Sequence, residues 1–531
     1  MGRIISEKDY AIKWKTILER VLLEKTSRLV LTMPKIGGCC ISMSLGQMLE
    51  ESCRRYADNV CIVYDGTYLT YEALNRYVNA LANGLRNLSI QKGDKVAVML
   101  PNCPEFVISY FAIQKIGAVA VTLNILSTSY ELRHLLGNSD SKCLITETHL
   151  AKRYEEIRSG VPLCSNIITT SGLETDSPFC DVIKKSSSNL KIPEIADDDP
   201  AVIIYTAGLT GKPLGAVLTH GNLLSQSELL RSIYHSTEKE KGMAVIPLFH
   251  AFGAVANMLA PIRIGASVVL QDSVTMDAIF STIEKEKVTY IAAVPRLFLG
   301  MIMHDSAEKY DVSSLDFCIT GGSTMPPEFI PVFEQKFNVI LREGYGLTEA
   351  SPVCSVGRRD LVHKPGSIGT VIPGVEAKIV DEQGNEVLRG EIGELLIRGD
   401  NVMKGYYKDD EATARVIKNG WLHTSDLAKI DEEGYIFLMG LKKRMIITSG
   451  FNVYPQEVET ILKLHPAVKV AMVMGEPNLL RGEIVKAKIV RNPDMSVEER
   501  DITRHCRIYL SSYKVPREVE FVESLDAQGS S

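Results

Sequence analysis

Short apolar runs alternate with longer segments of helical spacing through most of the chain. The segment LGQMLEESCRRYAD, which begins at Leu45, has the spacing of an amphipathic helix, and CIVYDGTYLTY has the pattern of two strands joined at an Asp-Gly turn. KVAVMLPN and AVAVTLN are β-branched strand candidates on either side of the helical segment FVISYFAIQKIG. Because strand–helix–strand alternation favours parallel pairing, the pattern predicts an α/β fold with parallel sheets covered by helices.

The same alternation continues towards the middle of the chain and then changes. Three further strand candidates, separated by helical segments, are ASVVLQD, VTYIAAVP and LDFCITGG. From Pro365 to the sequence KGYY, glycine-rich turns and apolar–polar alternation predict a small antiparallel barrel. At 531 residues the chain exceeds one typical core. We therefore predict an N-terminal extension (1–43), a large domain of parallel-type sheets with helices plus the barrel (44–440), and a small mobile C-terminal α+β domain (441–531).

Composition narrows the class of protein and its expected location. The net charge of −6 gives no electrostatic footprint for nucleic acid, so we expect no nucleic-acid partner. The 11 cysteines form no C-x-x-C pairs with matched histidines, which argues against a zinc site and a disulfide framework and favours reduced thiols in a cytoplasmic protein. No apolar run reaches the ~18 residues of a transmembrane segment. Peripheral membrane contact and the oligomeric state stay open.

A glycine-rich loop follows the apolar run AVIIY and is the first candidate for binding chemistry. Residues 205–215 read YTAGLTGKPLG. Glycine admits backbone angles closed to other residues and lets a phosphate approach amide N–H groups, and Thr206 and Thr210 add hydroxyl donors. The P-loop of nucleotide triphosphatases is excluded, because Pro213 rather than Ser or Thr follows Lys212. The loop predicts phosphate binding, with an ordinary glycine-rich turn as the alternative for this segment alone.

Four more segments carry candidate functional residues. REGYGLTEASP contains Glu349, CITGGSTMP contains small residues at 321–323, GWLHTSD contains Asp426 and PLFHAFG contains His250. An ionised carboxylate such as Asp426 can accept from two hydroxyl groups together, and one such as Glu349 suits a hard cation that bridges phosphates. Each of these residues also has a structural explanation when it is taken alone. Glu349 would be a solvated residue at a helix start, the small residues would form a turn at a strand end, and His250 would be an imidazole of the core.

Together these segments resemble the motifs of the adenylate-forming (ANL) superfamily. The similarity is greatest to medium- and long-chain fatty acyl-CoA synthetases of the AMP-forming type, whose motifs resemble PLFHAFG, TGGSTMPPE, PGSIGT, NVMKGYY and YKVPREVEFV. The resemblance covers about residues 45–522. It implies a ligase that converts a carboxylic acid and ATP to acyl-AMP and pyrophosphate, after which the thiol of coenzyme A displaces AMP. Mg²⁺ and hydroxyl-bearing loops stabilise charge on phosphate in such chemistry.

The resemblance also implies roles for individual residues. The implied catalytic residues are Thr206, Thr348, Glu349 as the magnesium ligand, and His250 as a gate at the mouth of the acyl tunnel rather than a general base. The implied ATP- and AMP-binding residues are Thr206, Gly208, Thr210, Gly211, Lys212, Gly321, Gly322, Ser323, Gly344, Tyr345 beside the adenine, Gly346, Thr348 and Asp426 at the ribose. Lys443 is the implied hinge, and the implied lining of the pantetheine tunnel, on one strand face, is Gly450, Phe451 and Asn452.

The sequence departs from the family's motifs at positions where the resemblance implies contacts with the polyphosphate of ATP. Leu214 stands where the family has a lysine, Leu441 stands where it usually has an arginine, and no lysine follows Lys514, so we expect a C-terminal domain truncated relative to the family. Three hypotheses follow. The protein is a fatty acyl-CoA ligase, or a homologue impaired in adenylation that performs only the acyl-AMP and CoA half-reaction, or a non-catalytic protein that binds nucleotide or acyl ligands. The motifs do not specify the acyl chain.

Overall fold

The first helix begins at a side-chain cap. The computed structural model describes residues 43–525 except 174, 207–212, 272–273, 442–444, 479 and 494, so the predicted extension 1–43 lies outside the described residues but for its last position. Ser44 Oγ accepts from the Gln47 backbone N–H (3.2 Å), and the Gln47 side chain accepts from the Ser44 N–H (2.7 Å), which starts helix α1, Leu45–Arg55. One face of this helix is buried, which confirms the predicted amphipathic helix.

A nine-stranded sheet forms one half of the α/β region. In spatial order its strands are β15 (Thr370–Val371), β14 (Val353–Val356), β13 (Ile340–Gly346), β12 (Phe317–Thr320), β11 (Tyr290–Ala293), β9 (Lys241–Ala244), β10 (Ser267–Leu270), β1 (Val60–Tyr64) and β2 (Thr67–Thr70). The six strands from β13 to β1 run parallel, as the strand–helix alternation predicted. Strands β1 and β2 pair antiparallel about Asp65 and Gly66, which have φ of 44° and 76°, so the predicted Asp-Gly turn is confirmed.

A seven-stranded sheet forms the other half. In spatial order its strands are β18 (Gly405–Tyr406), β8 (Leu214–Thr219), β7 (Pro200–Thr206), β4 (Val119–Thr122), β3 (Lys95–Met99), β5 (Ser141–Glu147) and β6 (Asn166–Thr170). Strands β3 and β4 are parallel and flank helix α3 (Pro104–Lys115), as predicted. All 12 residues of α3 are buried, and Lys115 Nζ bonds Glu50, Asn75 and Asn79, so the buried lysine of this helix is paired.

Helices cover these two sheets. Those N-terminal to β9 are α2 (Tyr71–Asn87), α4 (Ser129–Ser139), α5 (Ala151–Glu155), α6 (Pro178–Lys185), α7 (His220–Ser227) and α8 (Leu229–Tyr234). Those that follow β9 are α9 (Ala251–Ala254), α10 (Ala260–Ile264), α11 (Met276–Glu286), α12 (Pro295–Met303) and α13 (Phe329–Phe337). A π-type turn, Val255–Leu259, joins α9 to α10. Such turns occur often at functional sites, and this one borders the cavity described below.

The glycine-rich region after Pro365 forms an antiparallel sheet. Its elements are β16 (Val375–Val380), β17 (Gly393–Gly399), α14 (Asp410–Val416), β19 (Ile417–Lys418), β20 (Trp421–Ile430) and β21 (Ile436–Leu441). The antiparallel pairing predicted for this region is present throughout. The long strand β20 pairs with β17 along one side and with β19 and β21 along the other, so the strands follow an open order in the described part of the chain.

The last five strands form a small α+β unit. The elements are β22 (Ile446–Thr448), β23 (Phe451–Val453), α15 (Pro455–Leu462), β24 (Val468–Asn478), β25 (Gly482–Arg491), α16 (Glu499–Tyr509) and β26 (Glu518–Phe521). They enclose an apolar core that includes Val458, Val473 and Ile502. The α+β arrangement predicted here is confirmed, whereas the expected short C-terminus concerns residues beyond 525, outside the described residues.

None of the described helices combines the length and the apolar content needed to cross a bilayer.

Candidate functional site

A cavity of about 600 Å³ lies where the parallel strands end. Residues from the carboxyl ends of β7, β12 and β13 line it together with residues of the antiparallel sheet and of the segment 445–454. The carboxyl edge of a parallel sheet is the usual ligand position in open α/β folds, because the loops that follow the strands converge there. The cavity therefore collects residues that are far apart in the sequence.

An oxygen-rich cluster centres on Glu349, which follows β13 in the 3₁₀ turn Thr348–Ala350. Glu349 Oε1 accepts from Tyr406 Oη at 2.8 Å and from Thr206 Oγ1 at 3.3 Å. Burial first, and then the Glu349 carboxylate, raise the pKa of Tyr406, which keeps its hydroxyl protonated as a donor. Thr206, Thr348 and Glu349, all predicted from the sequence, thus line the same cavity.

The glycine-rich loop is described only at its two ends. Thr206 ends β7 and pairs with Leu214 at the start of β8, so the loop connects two antiparallel strands at the cavity wall. Gly208, Thr210, Gly211 and Lys212 lie outside the described residues. Leu214 itself lines the cavity, so the departure from the family's lysine falls on the cavity wall.

Predicted nucleotide-binding residues after β12 and in β13 line the same cavity. Gly321, Gly322 and Ser323 follow β12, and Gly321 lies close to Gly344, since a Cβ on Gly321 would lie 3.1 Å from the Gly344 carbonyl oxygen. Gly346 admits no side chain at all, because a Cβ there would lie 1.9 Å from the carbonyl oxygen of residue 352. Because glycine has no side chain, backbone atoms border the space at this wall of the cavity, which suits a planar base.

A tyrosine and an aspartate meet beside this space. The Tyr345 hydroxyl donates to Asp426 Oδ2, and the Asp426 backbone N–H donates to Thr424 Oγ1 at 3.1 Å. Burial, followed by the Asp426 charge, raises the pKa of Tyr345, so the phenol stays protonated. The contact joins β13 to β20 and orients the Asp426 carboxylate at the cavity.

His250 is the cap of helix α9 and lines the cavity. Its Nδ1 accepts from the Phe252 backbone N–H at 3.4 Å. Burial lowers the pKa of His250 to about 4, so the imidazole is neutral at pH ~7. A neutral ring committed to a helix cap suits the predicted gate better than a proton carrier.

The apolar part of the cavity, which we call the apolar arm, is formed by residues of the large region. It is lined by Leu229, Leu230, Tyr234, Val255, Ala256, Ala260, Ile319, Val353, Val356 and Ile368. Tyr234 Oη donates to the Gly357 carbonyl oxygen at 2.8 Å, and its ring stacks on Phe317 with centroids 4.7 Å apart. These contacts fix Tyr234, so the arm has a rigid aromatic wall.

The segment after the antiparallel sheet supplies the remaining wall. Gly450 and Asn452 line the cavity, and Gly450 has φ of +84° with its Cα against Val294, since a Cβ would lie 2.7 Å from Val294 Cγ1. Phe451 does not share this face, contrary to the prediction. Successive side chains of a strand point to opposite sides, and the Phe451 ring stacks on Tyr513 at 4.5 Å. The predicted hinge Lys443 lies outside the described residues.

Tyr406, Glu343 and Tyr454 also line the cavity, although the sequence motifs assigned none of them a role. Tyr406 lies in the quoted segment NVMKGYY, and Glu343 directly precedes the predicted Gly344. Burial raises the pKa of Glu343 to about 7, and its Oε2 atom has no hydrogen-bond partner among the residues that the structure describes. The motifs marked these segments, but only the fold shows which side chains point inwards.

The donor set around Glu349 fits a magnesium ion brought by a nucleotide. Carboxylate and hydroxyl oxygens are the ligands that Mg²⁺ accepts, and this ion commonly uses one or two carboxylates together with substrate phosphates. Within the described residues there is no group of three or more His, Cys, Asp or Glu side chains that could hold a metal without a substrate. A single carboxylate beside hydroxyls is consistent with a site in which the protein and the substrate phosphates together hold the ion.

Fold and site together define an α/β protein with a ligand site at the carboxyl edge of its parallel strands. A family model described as AMP-binding enzyme matches residues 49–407, and one described as AMP-binding enzyme C-terminal domain matches residues 457–531. The chain belongs to the AMP-binding enzyme family, which confirms the resemblance to the adenylate-forming superfamily.

Individual relatives span nearly the whole chain. A long-chain-fatty-acid–CoA ligase of Bacillus subtilis is 33% identical over 515 residues, 91% of each chain. A feruloyl-CoA synthase of an Amycolatopsis species is 32% identical and covers 92% of this chain and 97% of its own. Among solved structures, the amide bond synthetase McbA from Marinactinospora thermotolerans is 27% identical, with a TM-score of 0.82 over 91% of this chain and 96% of its own.

Proposed function

We propose that the protein is an AMP-forming fatty acid–CoA ligase. It activates a medium- or long-chain carboxylic acid with ATP, which gives acyl-AMP and pyrophosphate, and then transfers the acyl group to coenzyme A with release of AMP. Family membership and a relative named long-chain-fatty-acid–CoA ligase support this reaction. The relative named feruloyl-CoA synthase is about as similar in sequence to this chain, at 32% identity. The kind of carboxylic acid is therefore inferred from the cavity.

One observation carries the proposal: a single cavity joins the Glu349 cluster to the apolar arm. A polar end built of a carboxylate and hydroxyls suits phosphates and their cation. The apolar end offers side chains such as Leu230 and Val255 but little to bind a polar acid. An alkyl chain bound in this arm would extend its carboxylate past His250 towards the polar end, where the α-phosphate of ATP is expected.

Each half of the polar end has its own part in adenylation. Glu349 would hold Mg²⁺, which neutralises charge developing on the phosphates. Thr206 and Thr348 would donate to the α-phosphate from either side of Glu349. The adenine would lie in the space bordered by Gly321, Gly322, Ser323, Gly344 and Gly346. Asp426, which the Tyr345 hydroxyl orients, would accept from the ribose hydroxyls. Gly208, Thr210, Gly211 and Lys212 complete the phosphate contacts in this proposal.

His250 would act as a neutral gate between the acyl arm and the polar end. Its low pKa and its role as a helix cap leave it little capacity to take a proton near neutral pH. Gly450 and Asn452 would line the path of the pantetheine thiol. We further propose that residues 44–440 and 441–531 act as two domains, with Lys443 as the pivot of a rotation between the half-reactions.

An exchange assay tests the proposal most directly. Purified protein with ATP and labelled pyrophosphate should form labelled ATP only when a fatty acid is present, and CoA should then give acyl-CoA and AMP in equal amounts. Acids from butanoate to octadecanoate, with ferulate added, define the acyl preference. A preference for ferulate, or product formation only from supplied acyl-AMP, would contradict the proposed reaction.

The apolar arm also predicts how acyl length can be changed. Ala256 lies in the π-type turn and is only partly buried because it faces the cavity. An Ala256→Leu variant fills part of the arm, so kcat/KM should fall at least tenfold for the longest acids and little for the shortest. The matched control is Ala414→Leu, which makes the same change on an exposed helix position. An equal loss for all acids would contradict the placement of the acyl chain.

A further inference from the structure

Helix α8 forms part of the wall of the apolar arm and is held at both ends. Its residues Leu229, Leu230 and Tyr234 line the cavity. Glu228 directly precedes α8, and its Oε1 accepts from Arg263 Nε of α10 at 2.6 Å. At the other end of α8, Tyr234 Oη donates to the carbonyl oxygen of residue 357 at 2.8 Å. The helix is therefore tied to two separate elements of the large region.

Tyr234 covers the sheet wall of the arm at one point. Phe317 and Ile319 lie on the same face of β12, because side chains two positions apart on a strand point the same way. Ile319 lines the cavity, whereas Phe317 is fully buried against the Tyr234 ring, with centroids 4.7 Å and planes 7° apart. The Tyr290 ring also stacks on Phe317, at 5.2 Å. Tyr234 therefore rests on a rigid base of stacked rings.

The helical segment that begins after His250 follows the cavity for its whole length. The lining residues of this segment and its cap are His250, Phe252, Val255, Ala256 and Ala260. Positions about four apart share one side of a helix, so the cavity runs along this side. One turn after Ala260, Ile264 is buried and Arg263 holds the start of α8. The helical wall and the sheet wall thus both lead to α8.

The two walls give similar lengths for the arm. The segment from His250 to Ala260 rises about 15 Å at ~1.5 Å per residue. The strand from Gly321 back to Phe317 spans about 13 Å at ~3.3 Å per residue. An extended chain advances about 1.2 Å per bond, since the three backbone bonds of an extended residue span at most ~3.6 Å. A saturated chain of roughly 10 to 12 carbons therefore reaches from His250 to α8.

We propose that α8 is the closed end of the acyl arm, and that Leu230 and Tyr234 make the protein selective for medium-chain acids of about 10 to 12 carbons. This assignment rests on the proposed function, since it needs an acyl chain in the arm. A longer chain would have to move Tyr234 off Phe317 and break its hydrogen bond to the carbonyl oxygen of residue 357. The relative named long-chain-fatty-acid–CoA ligase suggests the opposite preference, so acyl length is a sharp test.

Acid-dependent ATP–pyrophosphate exchange with even-numbered saturated acids, from butanoate to octadecanoate, measures this preference. While the chain fills the arm, kcat/KM should rise about fourfold per added methylene, because each one is buried. It should reach its maximum at decanoate or dodecanoate and be at least tenfold lower for hexadecanoate. A maximum at any longer acid overturns the assignment and leaves the proposed function intact. A maximum at octanoate or a shorter acid overturns the inferred length.

Truncation of the end wall should move the maximum. Leu230→Ala and Tyr234→Ala each open space at α8, so the maximum should move to acids about two carbons longer. Tyr234→Phe keeps the ring and should leave the maximum in place. Leu223→Ala is the matched control, because Leu223 is buried on α7 and is not one of the described residues that line the cavity. Urea unfolding shows that each variant is folded, and parental maxima in both truncated variants overturn the assignment.

Binding measurements keep the two proposals apart. If no acid supports exchange in the parent, the proposed function is contradicted, and calorimetric affinities for the same acids then decide the assignment. The affinity should rise up to dodecanoate and rise no further in the parent, and it should continue to rise to tetradecanoate in Leu230→Ala. A continued rise to hexadecanoate in the parent, or no binding of any acid, overturns α8 as the closed end.

Discussion

Lys514 Nζ lies 2.8 Å from Glu131 Oε1, across 383 residues of sequence. Glu131 is in the first turn of α4 in the large α/β region, and Lys514 belongs to the C-terminal unit. Ser511 Oγ donates to the other oxygen of Glu131 at 2.6 Å, and Lys514 also contacts Glu457 at 2.7 Å. Burial alone would lower the pKa of Lys514, but Tyr513, Glu457 and Glu131 together raise it, so the buried ammonium stays charged. This ion pair holds the C-terminal unit against α4.

Removal of the lysine should destabilise the protein strongly. Lys514→Met leaves two buried carboxylates without their cation, and we expect a cost of about 3–5 kcal/mol in the free energy of unfolding. Glu131→Gln added to it removes one of the two orphaned charges and should recover part of that loss. Urea unfolding of the parent, both single variants and the double variant gives the coupling energy. If the loss in free energy of unfolding in the double variant equals the sum of the losses in the two single variants, a direct interaction is contradicted.

The charge of Glu349 should matter more than its hydrogen bonds. Glu349→Gln keeps an oxygen that accepts from Tyr406 and Thr206 but removes the negative charge, so acid-dependent ATP–pyrophosphate exchange should fall about 10²- to 10³-fold, the scale of a lost transition-state group. The half-saturating Mg²⁺ concentration should rise as well. Tyr406→Phe removes only the hydroxyl donor and should cost about tenfold or less. Exchange by Glu349→Gln at the parental rate would exclude this carboxylate from the magnesium site.

Glu343 should make stability depend on pH. Its pKa is about 7 in the folded protein against an ordinary value of 4.5, because burial disfavours the charged form. A raised folded pKa contributes stability that is complete below the unfolded value and is lost as pH rises through the folded one. Relative to the parent, Glu343→Gln should therefore gain on the order of 3 kcal/mol between about pH 4.5 and pH 8. Urea titrations across this range measure the gain.

An exposed acid provides the control for this experiment. Glu328→Gln makes the same chemical change on the surface and should leave the pH dependence of the parent intact. A parallel pH profile for Glu343→Gln and the parent would mean that Glu343 is ionised in the folded protein at neutral pH.

Gly450 should be required for the thiol half-reaction. A methyl group there would lie 2.7 Å from Val294 Cγ1 and would face a φ of +84°. Gly450→Ala should reduce acyl-CoA formation from supplied acyl-AMP at least tenfold and leave ATP–pyrophosphate exchange nearly unchanged, because the exchange needs no thiol. Gly434→Ala has a similar φ of +89° with nothing within 4 Å, so it isolates the cost of the backbone conformation. Equal losses in both half-reactions would contradict this placement.

Local pattern predicted the elements well where the physics is local. The Asp-Gly turn at residues 65 and 66 forms because these residues accept positive φ. The β-branched runs on either side of α3 pair in parallel because this helix returns the chain to the end of the sheet where the first strand began. The placement of Phe451 was wrong for an equally local reason. It lies between two cavity residues on a strand, and alternation alone sends it to the other face.

The chain's sequence by itself determined the family, the α/β class and many of the residues that line the cavity, since spacing and residue type encode strands, turns and motifs. Tertiary structure alone decided which of these residues touch. It placed Tyr406 on Glu349, buried Glu343 beside the cavity and joined Lys514 to Glu131. Such contacts join positions that are distant in sequence, and burial and charge act through space, so their consequences appear only when the chain is folded.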